Sequence, residues 1–271
     1  MHEYLQINFA RSGAEHTDIL IASLSETGFT GFDESGRELA AFIPLDQFNE
    51  GAFIQAVPPG LAYTKIIIAD RNWNEEWEKS FDPVVISGFC AIRASFHSPV
   101  QTCLHEIIVT PKMSFGTGHH ATTYQMIELM QTLDFAGRTV IDFGTGTGAL
   151  AILAEKCGAG NIHAIDNDYR SIENALENSS VNHCSRITIS NADVLPPGIT
   201  ADIILANINK NVIIAELGNM IHHLNPGGKI LVSGLLTGDR TAILEEAATF
   251  NLVLQREMAR DNWIALLFSM S

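Results

Sequence analysis

Clustered cysteines are missing from this sequence of 271 residues, which has only four. Cys90, Cys103, Cys157 and Cys184 lie far apart and form no C-x-x-C pair, so neither a zinc site nor a disulfide framework is predicted. A run of about 18 apolar residues, which a membrane-spanning helix needs, is also missing. The N-terminus has no basic segment followed by an apolar stretch. We therefore expect a soluble, cytoplasmic protein with reduced thiols and no membrane contact.

Positive charge is scarce as well. The chain has 16 Lys and Arg against 31 Asp and Glu, which gives a formal net charge of −15. Direct nucleic-acid binding needs clustered Lys and Arg and is therefore not expected. An acidic surface suits a basic partner, although solubility alone explains the charge equally well. Because domains have about 100 to 200 residues, the length predicts two of them.

Residues 1–70 are predicted to form a small α+β domain. Strand-like and helix-like segments alternate there in the order βαββαβ, which is the ferredoxin-like plan. The predicted strands are 4–9, 28–33, 39–43 and 63–70, and the predicted helices are 15–24 and 45–55. Ten acids against three bases give these residues a net charge of −7. They contain no evident catalytic constellation, so we expect either a recognition surface or a structural appendage.

Residues 71–100 are predicted to connect this domain to a second one. They begin with a short helix that places Trp73, Trp77 and Phe81 on one face, a spacing that usually serves packing. The stretches VVISGFCAIRAS and HEIIVTPKM then have the pattern of extended chain. The second domain is expected over 101–271.

The segment VIDFGTGTGALAI at 140–152 gives the strongest functional indication. An apolar strand runs into Gly144, Gly146 and Gly148, which can bring backbone amides to a ligand at a helix N-terminus. We predict Gly144 and Gly146 as cofactor-binding positions. The string also fits the dinucleotide pattern G-x-G-x-x-A through Ala149, so it does not separate a dehydrogenase from a methyltransferase.

From residue 121 onward, helices and strands alternate regularly, which predicts a mostly parallel sheet covered on both faces. The predicted helices are 122–133, 148–157, 168–180, 210–224 and 238–249, and the predicted strands are 139–143, 161–165, 187–190, 201–206 and 228–233. The last two strand-like stretches, NLVLQREM and WIALLFS, are joined by only ARDN and must form an antiparallel hairpin. That layout is typical of S-adenosylmethionine-dependent methyltransferases, and the nicotinamide Rossmann fold normally lacks it.

Three acids stand where predicted strands end. Asp142 closes a strand that should be buried, where an acid is costly without a partner. It is predicted to help hold the methionine end of the cofactor, with capping of the glycine turn as the alternative. Asp166 follows Gly144 by 22 residues and is expected to bind ribose hydroxyls. Asp193 is predicted to accept a hydrogen bond from the adenine amine, with an ordinary loop acid as the alternative.

The strand DIILAN ends in Asn207, and ligands bind at such strand ends in open parallel sheets. A carboxamide oxygen there can accept a hydrogen bond from an amine and aim its lone pair at an electrophilic carbon. Asn207 is therefore the predicted catalytic residue, and no covalent nucleophile is needed. ANIN lacks the prolines and the aromatic residue of the amide and adenine methyltransferases, so no base-stacking platform is indicated.

The segment PKMSFGTGHHATT at 111–123 has paired histidines before a helix. A metal site is not expected, because consecutive residues rarely converge on one ion and no cysteine or carboxylate lies nearby in sequence. We predict a loop that packs over the cofactor, with Thr123 at its edge. A glycine-rich connection with a Ser/Thr cap is the alternative.

Together, FGTGHHATT, VIDFGTGTGALAI with AIDND, and DIILANI resemble in order and spacing the PrmA family, the methyltransferases that modify ribosomal large-subunit protein eleven. The resemblance implies S-adenosylmethionine as the methyl donor and S-adenosylhomocysteine as the product. It also implies cofactor contacts at Thr123, Gly144, Asp166 and Asn207.

The same resemblance implies a ferredoxin-like domain that recognises the basic ribosomal protein, joined by a flexible linker to the methyltransferase domain. The methyl acceptors it implies are lysine ε-amines and an N-terminal α-amine. The chain departs from the usual family loop at His119 and Ala121, where Thr and Pro are expected. Asn209 and Lys210 after ANI also differ from the more common leucine-led sequence.

The expected fold is thus α/β: a class I methyltransferase Rossmann-like sheet with a C-terminal antiparallel hairpin, preceded by a small α+β ferredoxin-like domain. The alternatives are a class I methyltransferase acting on another protein or a small molecule, a nicotinamide oxidoreductase, and a non-catalytic ribosome-assembly binding module. A monomer is the default expectation, because the composition gives no hint of an obligate oligomer.

Overall fold

The computed structural model describes residues 4–10, 17, 20, 21, 23, 24, 27–29, 31–33, 38–68, 82–110 and 120–270. Backbone contacts divide the chain into two compact units, Met1–Ser80 and Phe81–Ser271. The predicted connector helix and the loop at 111–119 lie outside the described residues. The division into 1–70, 71–100 and 101–271 stays a prediction.

The first unit contains a four-strand antiparallel sheet. Its strands are β1 (Tyr4–Ala10), β2 (Gly31–Asp33), β3 (Glu38–Pro44) and β4 (Tyr63–Ile68). They lie in the order β2-β3-β1-β4, and β1 pairs with both β3 and β4. Alternate residues of β1, namely Leu5, Ile7 and Phe9, are buried, because successive side chains of a strand point to opposite faces.

Helical residues cover the buried face of this sheet. Within the helix predicted at 15–24, the described residues 17, 20, 21, 23 and 24 are helical. The helix predicted at 45–55 is instead a 3-10 turn, Leu45–Gln47, followed by α1 (Glu50–Ala56). The break occurs because Asn49 adopts an extended conformation and caps α1 by accepting a hydrogen bond from the Ala52 amide.

The second unit is built on a seven-strand sheet. Its strands are β8 (Thr139–Phe143), β9 (Asn161–Asp166), β10 (Ile187–Asn191), β11 (Ala201–Asn207), β12 (Leu224–Leu236), β13 (Leu252–Arg260) and β14 (Trp263–Met270). The order is β10-β9-β8-β11-β12-β14-β13. The pairs from β10 to β12 are parallel, and β14 is antiparallel to both β12 and β13. The predicted α/β fold with a mostly parallel sheet is confirmed.

Five helices accompany these strands in the described part of the second unit, one before the first strand and four between strands. They are α2 (Ala121–Met130), α3 (Ala149–Lys156), α4 (Tyr169–Val181), α5 (Lys210–His222) and α6 (Arg240–Thr249). Successive strand residues contribute to different cores: Val140 belongs to one apolar cluster and Ile141 to the other. The sheet is therefore covered on both faces, as the alternation of helices and strands predicts.

Two details of this sheet differ from the predicted boundaries. β12 begins at Leu224 and not at 228, because N-P-G-G continues the strand through a register shift opposite Ala201 and Ile203. Gly227, with φ +75°, supplies the backbone conformation that such an irregularity needs. The turn between β13 and β14 has positive φ at Asp261 and Asn262, as in the tight turns that match strand twist.

A third, three-strand sheet precedes the large one. It consists of β5 (Val84–Ile86), β6 (Cys90–Ala94) and β7 (His105–Val109), with β6 in the middle. β5 is antiparallel to β6, and β7 is parallel to it. Buried residues of β6 and β7, including Ile92 and Ile107, join the apolar cluster of the large sheet. No helix in the described part of the chain is long and apolar enough to cross a membrane.

Candidate cofactor and acceptor site

A cavity of about 460 Å³ opens where β8, β9 and β11 end. Such strand ends are the usual ligand sites of open α/β sheets. Six of the seven predicted site residues line it: Thr123, Gly144, Gly146, Asp166, Asp193 and Asn207. The seventh, Asp142, is not among the lining residues that the structure describes.

The turn from Gly144 to Gly148 forms the floor of the cavity. Gly144, Gly146 and Gly148 all have positive φ, so the turn needs the conformational freedom of glycine. The amides of Gly144 and Thr145 both donate to the carbonyl oxygen of Ile165, at 2.8 and 3.0 Å. A Cβ at Gly144 would overlap the side chain of Ile208. A side chain at Gly144 has no room, because the loop that contains Ile208 lies directly against the backbone there.

Asp166 connects this turn to the next helix. Its Oδ2 accepts a hydrogen bond from the Gly146 amide at 2.9 Å, and its Oδ1 accepts one from the Asp168 amide at 2.9 Å. Asp168 in turn caps α4 by accepting from the Arg170 amide. Each carboxylate oxygen retains acceptor capacity for a ligand hydroxyl.

Asp142 lies beneath the turn and is completely buried. Its Oδ2 accepts from the Thr145 hydroxyl at 2.6 Å and from the Ala151 amide at 3.2 Å, and its Oδ1 has no hydrogen-bond partner within the described residues. Burial raises the pKa of this carboxyl to about 7, although the two hydrogen bonds oppose the shift. The contacts correspond to the capping alternative, and a role toward the ligand stays a prediction.

Asn207 and Thr123 meet at the cavity wall. The Asn207 Nδ2 donates to Thr123 Oγ1 at 3.3 Å, and the Asn207 Oδ1 is buried without a partner among the residues that the structure describes. Thr123 is itself buried in the first turn of α2, which His120 caps by accepting from the Thr122 amide. The carboxamide is thus held by its nitrogen, and its buried oxygen has no partner in the described part of the chain.

The chain after Asn207 is fixed in place. The Ile208 amide donates to the Ser233 carbonyl oxygen at 3.2 Å, and a Cβ at Gly234 would overlap the backbone of Ile208. Lys210 forms an ion pair with Asp239 at 2.8 Å, and this hydrogen bond lowers the pKa of Asp239. These contacts hold Asn207 at a fixed position beside the glycine turn.

The lining residues that the sequence patterns missed include Trp263 and Gly234. Trp263 reaches the cavity from the start of β14, where its ring lies edge-on to the His120 ring, with 4.7 Å between centroids. Gly234 lines the cavity from within β12. A glycine inside a strand indicates a close backbone approach, which was the one available indication. Among the described residues, no group of three or more His, Cys, Asp or Glu can hold a metal ion.

The fold and the site together define an α/β protein with the methyltransferase fold and a ligand cavity at the carboxyl edge of its sheet. The crystal structure of a methyltransferase from Pyrococcus furiosus has the same fold, with 21% identity, a TM-score of 0.51, and coverage of 61% of this chain and 89% of that one. The crystal structure of a ribosomal protein L11 methylase from Lactobacillus delbrueckii subsp. bulgaricus is 27% identical, with a TM-score of 0.66, and covers 70% of this chain and 100% of that one.

Sequence comparison identifies the family. The family model described as ribosomal protein L11 methyltransferase (PrmA) matches residues 47–270. A ribosomal protein L11 methyltransferase from Phocaeicola vulgatus is 35% identical and covers 99% of both chains. One from Porphyromonas gingivalis is 39% identical and covers 93% of this chain and 90% of its own. The chain belongs to the ribosomal protein L11 methyltransferase family.

Proposed function

We propose that this enzyme transfers methyl groups from S-adenosylmethionine to lysine and N-terminal amines of ribosomal protein L11. Relatives that carry this name are similar to the chain over nearly its full length. The observation on which the proposal mainly rests is the unpartnered Oδ1 of Asn207, buried at the cavity wall. An unpaired buried acceptor calls for an explanation, and the substrate amine is the partner that we propose for it.

The residues present fit the cofactor. A volume of about 460 Å³ lies within the range of small-molecule sites. Asp166, Asp193 and the backbone at Gly144 and Gly146 line the cavity, which supports the proposed contacts. In this proposal Asp166 binds ribose hydroxyls, Asp193 accepts from the adenine amine, and the glycine backbone lies under the ligand. When bound, S-adenosylmethionine supplies a methyl group on an electrophilic sulfonium.

The task left to the protein is alignment of the amine. A lysine amine, with an ordinary pKa near 10.4, must first lose its proton to solvent or to a nearby acceptor. The Asn207 oxygen then accepts an N–H hydrogen bond and directs the nitrogen lone pair along one axis. Because Thr123 and the chain at 208–210 fix this side chain, positioning supplies most of the rate.

For the first unit we propose a ferredoxin-like fold that recognises L11. The order β2-β3-β1-β4, with helical residues between β1 and β2 and between β3 and β4, supports it. Tyr4 and Ile66 remain exposed on the sheet. The net charge of −7 over residues 1–70 favours a basic protein as partner. A cytoplasmic location and a monomeric state stay predictions.

The proposal is tested with labelled S-adenosylmethionine, purified L11 and mass mapping of the modified residues. We expect label on lysine and N-terminal amines of L11 and none on other proteins of the same mixture. Label on another protein or a small molecule would favour a different class I methyltransferase. Binding of L11 without label transfer would indicate a non-catalytic module.

A further inference from the structure

Three asparagines on one face of α4 and its C-terminal cap are buried in the second unit. Asn174, Asn178 and Asn182 follow each other at intervals of four residues, which places them on one side of the helix. Asn174 and Asn178 are completely buried, and Asn182 is 9% exposed. Buried carboxamides need hydrogen-bond partners, and the groups that these three asparagines bind indicate their structural role.

The three asparagines form hydrogen bonds with the backbone edge of β7 that does not face β6. Among the described strands, β7 has only β6 as a neighbour in its sheet, so its other backbone edge needs donors and acceptors. Asn182 Nδ2 donates to the Ile108 carbonyl oxygen at 2.6 Å, and its Oδ1 accepts from the Ile108 amide at 3.0 Å. This carboxamide replaces a neighbouring strand at one residue.

Asn178 and Asn174 together take the place of a neighbouring strand at Thr110. The Thr110 amide donates to Asn178 Oδ1 at 2.7 Å, and Asn174 Nδ2 donates to the Thr110 carbonyl oxygen at 3.2 Å. Asn178 has a further contact that Asn182 lacks. Its Nδ2 donates to the carbonyl oxygen of Thr147 at 2.8 Å, inside the glycine turn that lines the cavity.

Helix α4 also packs closely against the glycine turn next to this hydrogen bond. A Cβ at Gly148 would lie 3.2 Å from the Ala175 Cβ, tighter than an ordinary contact. Thr147 is fully buried, and its carbonyl oxygen accepts from Asn178 within the dry interior. An amide dipole held in this way fixes the orientation of the peptide between two conformationally free glycines.

We propose that Asn178 is a positioning residue, which locks the glycine turn to β7 and so holds the cofactor floor in its binding conformation. The proposal rests on the cofactor assignment made above. Asn182 serves as the matched control, because it makes comparable buried hydrogen bonds to β7 without touching the turn.

The experiment compares Asn178→Ala and Asn182→Ala in the full-length enzyme. Both variants lose buried hydrogen bonds, so both should unfold at lower urea concentration. Only Asn178→Ala should bind S-adenosylhomocysteine more weakly, by about tenfold in Kd measured by calorimetry, which corresponds to about 1.4 kcal/mol. Its KM for S-adenosylmethionine should rise while kcat at saturation stays close to that of Asn182→Ala.

A second variant covers the case in which Asn178→Ala does not fold. Asn178→Asp keeps an acceptor for Thr110 but, when ionised, places a carboxylate oxygen against the Thr147 carbonyl. Its Kd for S-adenosylhomocysteine relative to wild type should therefore rise between about pH 5.5 and pH 7.5. Amide hydrogen exchange at residues 146–148 should accelerate in both Asn178 variants and not in Asn182→Ala.

The outcomes separate the two proposals. Equal Kd values for the Asn178 and Asn182 variants, or a pH-independent ratio for Asn178→Asp, would overturn the positioning role. Failure of the wild-type protein to bind S-adenosylhomocysteine would instead overturn the cofactor assignment.

Discussion

At the scale of single residues, two of the buried side-chain oxygens that lack a partner among the described residues belong to this site. The Oδ1 atoms of Asn207 and Asp142 are both buried and unpaired. Leaving a buried acceptor unpaired costs about 1 to 3 kcal/mol, so each such atom calls for an explanation. The Asn207 oxygen belongs to a cavity-lining residue, whereas the Asp142 oxygen lies beneath the turn. The first is suited to hydrogen bonding with a substrate, and the second makes the turn sensitive to protonation.

Replacing Asn207 by Ala is expected to reduce kcat about 100-fold, because the acceptor that orients the amine is lost. The fold should persist, since Asn207 makes one long hydrogen bond to Thr123. Asn225→Ala is the matched control, because Asn225 donates to Asp202 at the start of β11, the end of the strand opposite to Asn207. Initial rates with L11 and urea unfolding measure both variants. Near-normal turnover of Asn207→Ala would exclude the catalytic role.

Asp142 is expected to make stability depend on pH. Its pKa rises from 3.8 to about 7 on folding, so the folded state holds the proton more tightly than the unfolded state. The resulting stabilisation is complete below about pH 4 and is lost as pH rises through 7. Asp142→Asn, which cannot ionise, should therefore gain stability relative to wild type between pH 5 and pH 8.

Asp202→Asn is the control for this measurement. Hydrogen bonds from the Thr139 amide and Asn225 lower the pKa of Asp202, so this carboxyl is ionised throughout the same range. Its stability difference from wild type should stay constant between pH 5 and pH 8. Urea unfolding at several pH values gives both differences. A flat profile for Asp142→Asn would show that the carboxyl ionises normally.

At the scale of elements, the site is an interlock between the ends of β8, β11 and β12. The glycine turn after β8 leaves room for Ile208 after β11, and Gly234 in β12 leaves room for the Ile208 backbone. Each contact requires a missing side chain on the opposing element. These close contacts explain why glycine occupies positions 144 and 234, which both face Ile208.

Gly144→Ala is expected to destabilise the protein by about 3 kcal/mol, because backbone strain adds to overlap with Ile208. Gly198→Ala isolates the strain, since Gly198 also has positive φ but faces open space. We expect it to cost about 1 kcal/mol and to leave ligand affinity intact. Urea unfolding and calorimetry with S-adenosylhomocysteine test this. Equal costs at the two positions would contradict the interlock.

At the scale of the whole molecule, acidity is concentrated in the first unit. Residues 1–70 have a net charge of −7, close to half of the total of −15. Exposed charges act over roughly a Debye length, about 10 Å at 0.1 M salt, so their effect on a basic partner should be screened by salt. Small substrates that do not contact this unit should show no such dependence.

Glu38→Lys is expected to raise the KM for L11 about threefold, corresponding to roughly 0.7 kcal/mol at low salt. Glu38 is exposed at the start of β3 in the first unit. Glu245→Lys makes the same charge change on an exposed position of α6 in the second unit and serves as the control. Steady-state kinetics at about 0.02 M and about 0.3 M salt should show the difference vanish at the higher value. Equal effects at both sites would argue against recognition by the first unit.

The sequence determined what depends on local pattern. Short apolar segments in a regular alternation of helices and strands predicted the strands, so Asp166 and Asn207 were expected at strand ends before any contact was known. The helix predicted at 45–55 failed at Asn49, because a capping side chain prevailed over apolar periodicity. The strand predicted at 228 began earlier, because glycine accommodates a register shift as well as a turn.

Only the tertiary structure decided which distant residues share the site. It brought Trp263 and Gly234 to the cavity, placed Asp142 under the turn, and paired Asn178 with Thr110 across 68 residues of chain. Sequence periodicity assigns a side chain to a face of its own helix or strand, but its partner there depends on how elements pack. The glycine turn could therefore be predicted from the sequence, whereas the residues that hold it in shape could not.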